Sequence, residues 1–409
     1  MESQSTCAVV GAGVAGIVAA YLLQKRYRVE LWESENRLGG HTNTFEVAEG
    51  ADAGLRVDTG FIVFNGETYP LFQRFLAELG VPKQPSDMSY GYFCDLTGWG
   101  YGGHDLNTFF AQRRRLFDPD FLRFASDLAR FNLTSLRQLN EGTISGSLGD
   151  YLRAYTRTFV RHYILPLGSS LWSAPLDRIL DFPARTFVRF FANHGLLRVV
   201  RRPEWFTVRG GSSRYIQAFL RNFTGRVRLN SPVRQVRRLA QGFEVEGLRY
   251  DAVVLATHAD VALSQLADPS PLQQQALGVW RYLPNRTVLH RDTRVLPDNP
   301  RLHASWNYRR GHGSGRLPTL TYDMNRLQSL PTCQRYLVTL NPQAELAEVL
   351  GQWTYRHPQF DVGCEESQSL LPGLNQNNMA FCGSYHRFGF HEDAVMSAVA
   401  AAASLGCAW

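Results

Sequence analysis

Lysine is nearly absent from this 409-residue sequence: only Lys25 and Lys83 occur among 43 basic residues, so almost all the positive charge is arginine. Cysteine is sparse as well. The six cysteines, at positions 7, 94, 333, 364, 382 and 407, lie far apart with no CxxC pair and no metal-ligand spacing. That pattern offers neither a disulfide framework nor a metal site, and a reduced, cytoplasmic protein is expected. Long apolar runs are missing too. The longest uncharged stretches, near residues 8–23 and 394–409, are short and rich in glycine or alanine. They read as buried helix and strand rather than membrane spans, and the first strand begins too early for a leader to precede it. No Ser/His/Asp, paired-carboxylate or metal constellation stands out. No zinc-finger or base-stacking signature accompanies the charge, so nucleic acid is not an expected partner.

What is present describes an ordinary globular chain. Hydrophobic content is 44% and charged content 19%, and the length suits two or three domains with a large core. The 12% aromatic share fits either a deep apolar pocket or plain core filling. A net charge of +7 makes anionic surfaces natural partners. The arginines cluster at Arg113-Arg114-Arg115, Arg201-Arg202 and Arg234/Arg237/Arg238. The first run is flanked by Phe109-Phe110, Leu116-Phe117 and Phe121-Leu122. It reads as a solvated helix face or, alternatively, as an amphipathic helix held at the inner face of an anionic membrane.

The first forty-one residues carry the most chemistry. Cys7–Val10 reads as an apolar strand, Gly11-Ala12-Gly13-Val14-Ala15-Gly16 as a glycine turn, Val14–Gln24 as a small-residue helix, and Val29–Trp32 as a second strand ending at Glu33. Gly11 allows the tight turn, Gly13 admits a pyrophosphate to the backbone, and Gly16 lets helix and strand approach. The phosphates would face the helix N-terminus, and Glu33 would accept hydrogen bonds from a ribose. This fingerprint does not by itself separate FAD from NAD. A second feature, Arg37-Leu-Gly39-Gly40-His41, supplies glycines positioned for further backbone contact beneath the pyrophosphate. No second fingerprint follows, because Gly98–Gly103 and Gly311–Gly315 read as loops or hairpin turns. One dinucleotide, and no separate NADPH domain, is expected.

Along the chain, Val57–Phe64 reads as a strand or strand pair, and Tyr69–Leu197 as a long, predominantly helical stretch punctuated by Pro119, Pro166 and Pro183. A glycine turn at Gly210-Gly211 opens a helix over Ser213–Arg221. Strands follow at Val227–Leu229, Val233–Leu239, Phe243–Val245 and the buried Ala252–Ala256. Residues 286–341 alternate as an antiparallel sheet, with strands at Thr287–His290, Ala304–Tyr308, Thr319–Tyr322 and Tyr336–Leu340. Met379–Ser384 and a helix from His391 close the chain. The expected fold is α/β: a discontinuous Rossmann-like nucleotide-binding domain (1–68, 205–265, 376–409) with a second domain inserted through it (69–204, 266–375), part helical and part antiparallel sheet.

These residues resemble the amine-oxidase-like flavoproteins, the superfamily of monoamine oxidases, phytoene desaturases and protoporphyrinogen oxidases, over essentially the whole chain. Glu33-Ser34 through Arg37-Leu-Gly39-Gly40-His41-Thr42 resembles that superfamily's extended FAD signature. Asp58-Thr-Gly60-Phe61-Ile62 resembles the segment running along the isoalloxazine. Val233 matches the residue whose backbone holds the adenine, and Ala256 ends the neighbouring strand. Gly383-Ser384 and Phe390-His391-Glu-Asp-Ala-Val395 match the C-terminal strand and helix beside the flavin. The resemblance implies that the Rossmann-like domain is an FAD-binding domain and the inserted one a substrate-binding domain; no cysteine or histidine stands in a convincing setting for covalent attachment, so non-covalent FAD is expected. More narrowly, Val57–Asn65, Asn193–Leu197, Ala304–Tyr308, Thr321–Asn325 and Gly389–Asp393 resemble a bacterial group related to the flavoprotein half of plant cyclopropane fatty-acid synthases. That likeness implies lipid chemistry beside a methyltransferase partner.

The resemblance also marks a departure. Many amine oxidases place a lysine over flavin N5 from the second half of the chain, and no lysine follows Lys83 here. The expected reaction is therefore hydride removal from a C–H bond of an acyl lipid or other hydrophobic small molecule. Oxidation of a hydrophobic amine is the alternative, and an FAD-holding scaffold for a lipid methyltransferase is a third reading. Tyr322, Asn325 and His194 are the polar candidates for catalysis, set against roles in core packing or helix capping. His41 and His391 are expected to meet the cofactor through their backbones, and Trp306 and Tyr308 to line a pocket or pack.

Overall fold

The computed structural model describes residues 4–198, 203–311 and 317–409; Arg201-Arg202 and most of the Gly311–Gly315 segment lie outside them. A five-stranded, all-parallel sheet forms the centre of one half. Its order is Arg226–Arg228, Arg28–Trp32, Thr6–Val10, Ala252–Leu255 and Met379–Phe381. Ala252–Leu255 is buried throughout, as a parallel strand covered on both faces must be. Val14–Leu23 and the C-terminal helix His391–Ser404 pack together. Their alanines and glycine allow the close approach. An antiparallel three-stranded sheet, Val236–Arg238, Phe243–Val245 and Leu248–Tyr250, completes this half.

The other half is built on a seven-stranded sheet ordered Val349–Gln359, Arg281–His290, Leu337–Leu340, Leu320–Asp323, Trp306–Arg310, Tyr90–Cys94 and Trp99–Gly102. Every joint is antiparallel except Trp306–Arg310 against Tyr90–Cys94. This corrects the reading of 69–197 as one helical stretch, because a hairpin at 90–102 leaves it to extend the sheet. Its turn carries Gly98 at φ +62°. Gly100 lies within the second strand because a Cβ there would come 2.8 Å from the Phe93 ring and 2.9 Å from Leu302. A strand that needs glycine for packing has no alternating apolar signature to read.

Helices of the insertion cover one face of this sheet. Pro119–Asn140 buries Phe121, Phe124 and Phe131 against it, with Asp118 capping the N-terminus through the Asp120 N–H. Arg157–Trp172 contains one π-helical turn over Val160–Ile164. That turn is anchored to the hairpin by Tyr92 Oη to His162 Nδ1 (2.8 Å) and Tyr101 Oη donating to the His162 carbonyl (2.8 Å). The Arg113–Phe117 run is a single 3₁₀ turn rather than an amphipathic helix. Arg115 within it is tied to Asp118 at 2.9 Å. No helix among the described residues is long and apolar enough to cross a membrane.

Candidate active site

The site begins at the glycine turn between the first strand and helix. Gly11 sits at φ +95°, and a Cβ there would meet the Ala256 carbonyl oxygen at 2.9 Å. A Cβ on Gly16 would lie 1.8 Å from the Gly11 carbonyl oxygen. Around Gly13, by contrast, a Cβ meets no heavy atom within 4 Å. Two glycines are thus required by packing, and the third opens onto free space at a helix N-terminus. The Gly39-Gly40 loop closes beneath it: Gly39 (φ +117°) donates to the Ala12 carbonyl at 2.8 Å, and a Cβ on Gly40 (φ +55°) would come 3.3 Å from Gly13 Cα. Arg37 braces this loop, donating to the carbonyls of Gly40 (2.9 Å) and Thr42 (3.1 Å).

Glu33 is buried beside the turn. One carboxylate oxygen accepts from the Ala12 N–H (2.9 Å) and the other from Ser34 Oγ (3.1 Å) and the Glu35 N–H (2.9 Å). A carboxylate oxygen has lone pairs for more than one donor, so the group both holds the turn and retains capacity for ribose hydroxyls. Together the open glycine, the free helix end and this acid fit a dinucleotide such as FAD. Val14 and Ala15 open the helix inside the core. Ala256 donates to the Val10 carbonyl (2.8 Å) and carries the strand end that crowds Gly11. Val233 is buried, with its carbonyl held by Gln265 Nε2 at 3.0 Å.

A second run of residues leads away from the turn. A Cβ on Gly60 would lie 2.0 Å from the His41 carbonyl oxygen, which also accepts from the Phe61 N–H at 2.9 Å. The Phe61 ring stacks on His391 with centroids 3.6 Å apart. His391 Nε2 meets Tyr215 Oη at 3.2 Å, and Tyr215 Oη meets Thr42 Oγ1 at 2.6 Å. Ile62 is buried, its carbonyl accepting from Thr207 Oγ1 (2.8 Å). The His391–Ser404 helix is fixed at its start by two acids. Asp393 accepts from the N–H groups of Phe388 (3.1 Å) and Phe390 (2.9 Å), while Glu392 accepts from Leu71 and Phe72 (both 2.9 Å) and so caps a different helix, Pro70–Glu78. Burial raises both carboxyls, Glu392 to about 7 and Asp393 to about 6. Gly383 is clamped by Ser397 Oγ (2.9 Å to its N–H), and the Ser384 carbonyl accepts from Gly389 (3.1 Å). Val395 is fully buried.

The structure gives roles to residues that sequence reading did not place among the site residues. Asp58 is fully buried and accepts from the Ser212 N–H (2.9 Å), Ser212 Oγ (2.8 Å), Thr44 Oγ1 (2.5 Å) and Gln328 Nε2 (2.9 Å). Two residues from Gly60, it ties the Asp58–Ile62 segment to the start of the Ser213–Asn222 helix and to the other half of the molecule. Burial lifts its carboxyl to about 7 despite these donors. An acid inside an apolar strand was the available signal. His258 and His357 join His41: the His41 ring lies 5.8 Å from His258 and 5.4 Å from His357, and its Nε2 meets the Arg356 carbonyl at 3.1 Å. Burial holds His41 near 4, with the Arg37 charge adding to it, and holds His258 and His357 near 3, with repulsion from His41 adding to it. All three are therefore neutral at pH 7. Their positions in sequence lie too far apart to have suggested the cluster.

Of the catalytic candidates, Asn325 is engaged by its own loop. Its amide donates to the Gln334 carbonyl (2.7 Å) and accepts from the Tyr336 N–H (2.8 Å), bracing its own loop. His194 ends the Ala184–Asn193 helix with Nδ1 at 3.0 Å from the Phe190 carbonyl, and burial lowers it to about 4. Tyr322 lies on the sheet face turned to the helices. Tyr90, Trp306 and Tyr322 are register neighbours, the Trp306 and Tyr322 rings meeting edge-on at 4.9 Å. Tyr92, Tyr308 and Leu320 form the next row, so Trp306 and Tyr308 do share this face. These side chains pack with Trp172, Phe190, Phe388 and Phe390. Trp306 Nε1 is buried with no acceptor among the described residues.

Comparison with known proteins agrees with this geometry. The model of the flavin-containing amine oxidoreductase family matches residues 14–324. An L-amino-acid oxidase of Siganus canaliculatus is 25% identical over 291 residues, covering 64% of this chain and 51% of that protein, so the chain spans about half the length of this relative. Three solved structures share the fold. A proposed protoporphyrinogen oxidase from Exiguobacterium sp. 255-15 superposes with TM-score 0.72 at 16% identity, over 98% of this chain and 99% of that one. Cyclohexylamine oxidase from Brevibacterium oxydans IH-35A gives 0.70 at 16%, over 98% and 100%. A CLA-producing fatty acid isomerase from P. acnes gives 0.69 at 13%, over 97% and 98%.

Proposed function

The chain belongs to the flavin-containing amine oxidoreductase family and is an FAD-dependent oxidoreductase; from that premise we propose that its substrate is a long apolar chain, a fatty-acyl lipid, oxidised at a C–H bond. When bound, the flavin supplies a two-electron acceptor for the hydride. The chain's own residues supply binding, orientation and exclusion of water. The observation that carries this reading is the aromatic wall of Tyr90, Trp306 and Tyr322 facing the helical insertion. Such a wall suits an alkyl chain, and the buried Tyr90 hydroxyl and Trp306 N–H, both without a partner among the described residues, are left to orient a polar end. Burial pushes the Tyr322 hydroxyl well up, which makes it a hydrogen-bond donor rather than a base at neutral pH. Among the described residues, the acids beside the aromatic wall are not free to hold an ammonium group. Glu392 and Asp393, the acids beside Phe390, are turned to backbone N–H groups, and no lysine follows Lys83. That a fatty acid isomerase shares the fold supports the same substrate class.

Amine oxidation is the second reading, favoured by the name of the oxidase relative. Anaerobic mixing of the holoprotein with acyl lipids and with hydrophobic amines separates the two. Bleaching of the flavin absorbance by acyl lipid alone is expected. Rapid bleaching by amines with none by acyl lipids would establish the amine reading instead.

A further inference from the structure

Large exposed hydrophobic side chains are not scattered evenly over this molecule. Leu106 (74% exposed), Phe117 (89%) and Leu133 (78%) are the three most exposed, and Leu116, Leu122 and Leu136 lie in the same stretch of the helical insertion. The Pro119–Asn140 helix accounts for much of the pattern. Its inward face buries Phe121, Phe124, Phe131 and Ser135. Leu122, Ser126, Ala129, Leu133 and Leu136 recur at intervals of four and three on the opposite side, all exposed. A helix normally shows water a polar outer face. Here a second apolar stripe runs along it, continued at its N-terminal end by the exposed Leu116-Phe117 tip.

The charge around this stripe narrows the occupant. Arg123, Arg130 and Arg137 flank it one heptad apart, each paired within its helix, with Asp120, Asp127 and Glu141. Arg113 and Arg114, next to Phe117, are exposed and have no acidic partner among the described residues; Arg113 donates to the Asn107 amide oxygen at 2.6 Å. Asp118 is occupied by Arg115. Uncompensated cations beside protruding apolar side chains fit an anionic lipid surface, where arginine meets headgroup phosphate and phenylalanine and leucine enter the acyl boundary. A second copy of the chain would set these arginines against their like. We propose that the Leu106–Leu136 face is a membrane-docking surface for anionic lipid. It deepens the acyl-lipid reading by bringing the helical insertion to the phase in which such a substrate resides.

The interface is not the one the arginine run alone suggested. Phe121 is buried, Phe109 and Phe110 are half-buried, and Arg115 is tied down. The contact residues are instead Phe117 and the outer leucines, with Arg113 and Arg114. The test is sedimentation of the holoprotein with vesicles of roughly one part phosphatidylglycerol to two parts phosphatidylcholine. Flavin absorbance confirms that each variant is folded. Wild type should sediment at low salt and progressively less as salt rises. Phe117→Ser/Leu133→Gln should bind about tenfold more weakly, and Arg113→Ser/Arg114→Ser about thirtyfold more weakly at low salt. Leu248→Gln, an exposed position on the three-stranded sheet, should bind as wild type. Wild-type protein that stays in the supernatant at low salt would overturn the proposal, as would undiminished binding by Phe117→Ser/Leu133→Gln. A wild-type dimer that this double variant disperses, without vesicle binding, would assign the face to a second copy. Vesicle binding and flavin reduction are read separately, so the docking surface and the substrate assignment can fail independently.

Discussion

Gly13 and Gly16 belong to one turn, yet substitution should separate their roles completely. A side chain on Gly13 projects into space where no protein atom lies within 4 Å, and its backbone, at φ −67° and ψ −178°, is open to any residue. Gly13→Val should therefore shift the stability of the flavin-stripped protein by no more than about 1 kcal/mol, reduced unfolded-state entropy offsetting the poorer helix cap. The same valine fills the volume the pyrophosphate needs. Losing two charge-assisted hydrogen bonds, at about 1.5–3 kcal/mol each, weakens FAD binding by about 3–6 kcal/mol, two to four orders of magnitude in Kd. Gly16→Ala is the reverse case. Its Cβ would lie 1.8 Å from the Gly11 carbonyl oxygen, and relief requires the turn itself to move. That overpacking costs about 1–3 kcal/mol or more of fold stability, and FAD is lost as a consequence. Thermal melting of flavin-stripped protein, together with FAD titration of each variant, reads both quantities. Wild-type FAD affinity in Gly13→Val would refute the phosphate assignment. Equal destabilisation by the two substitutions would refute the division of roles.

Glu33→Gln should loosen the turn, because one oxygen cannot accept from both the Ala12 and Glu35 N–H groups, and should reduce FAD affinity by about 1–3 kcal/mol as a charged acceptor becomes neutral; isothermal titration measures it, and an unchanged Kd would remove Glu33 from the ribose site. Asp58, raised by burial from 3.8 to about 7, contributes stability that is complete below about pH 4 and lost as pH rises through about 7, since the folded state binds the proton more tightly. Asp58→Asn should flatten that part of the stability–pH profile relative to wild type, and a profile of unchanged slope would show that Asp58 does not titrate there. His258 and His357, lowered from 6.5 to about 3, act in the opposite sense: their contribution is complete above pH 6.5 and lost as pH falls toward about 3. His258→Gln should accordingly reduce acid sensitivity in urea melts over that range, and an identical acid limb would contradict it. FAD should leave the polypeptide on acid or heat treatment; colour remaining on the denatured chain would overturn this.

The dinucleotide unit was legible because its information is local. Strand, glycine turn, helix, strand and acid fall within 33 residues, and each glycine answers a steric requirement set by neighbours a few positions away or on the adjoining strand. The C-terminal strand–turn–helix was readable for the same reason. The 90–102 hairpin was not, since glycines packed against Phe93 and Leu302 replace the alternating apolar residues that announce a strand. The engagement of Asn325 was not readable either: its segment abuts Tyr322, and sequence proximity says nothing of the Gln334 and Tyr336 backbone groups that hold its amide.

By itself, then, the sequence determined the chemistry's scaffold: one nucleotide turn, its acid, the arginine-dominated charge, and the lack of any lysine beyond Lys83. Tertiary structure decided which distant residues share a surface. It set His41 beside His258 and His357, closed Asp58 onto Ser212 and Gln328, and used Glu392 to cap a helix more than three hundred residues earlier. It aligned Tyr90 with Trp306 across the single parallel joint of the large sheet. It also turned Leu133 and Phe117 outward while burying Phe121 and Phe131. Periodicity states that a helix or strand has an apolar face. Only long-range packing decides which element covers that face, and which face is left for something else to cover.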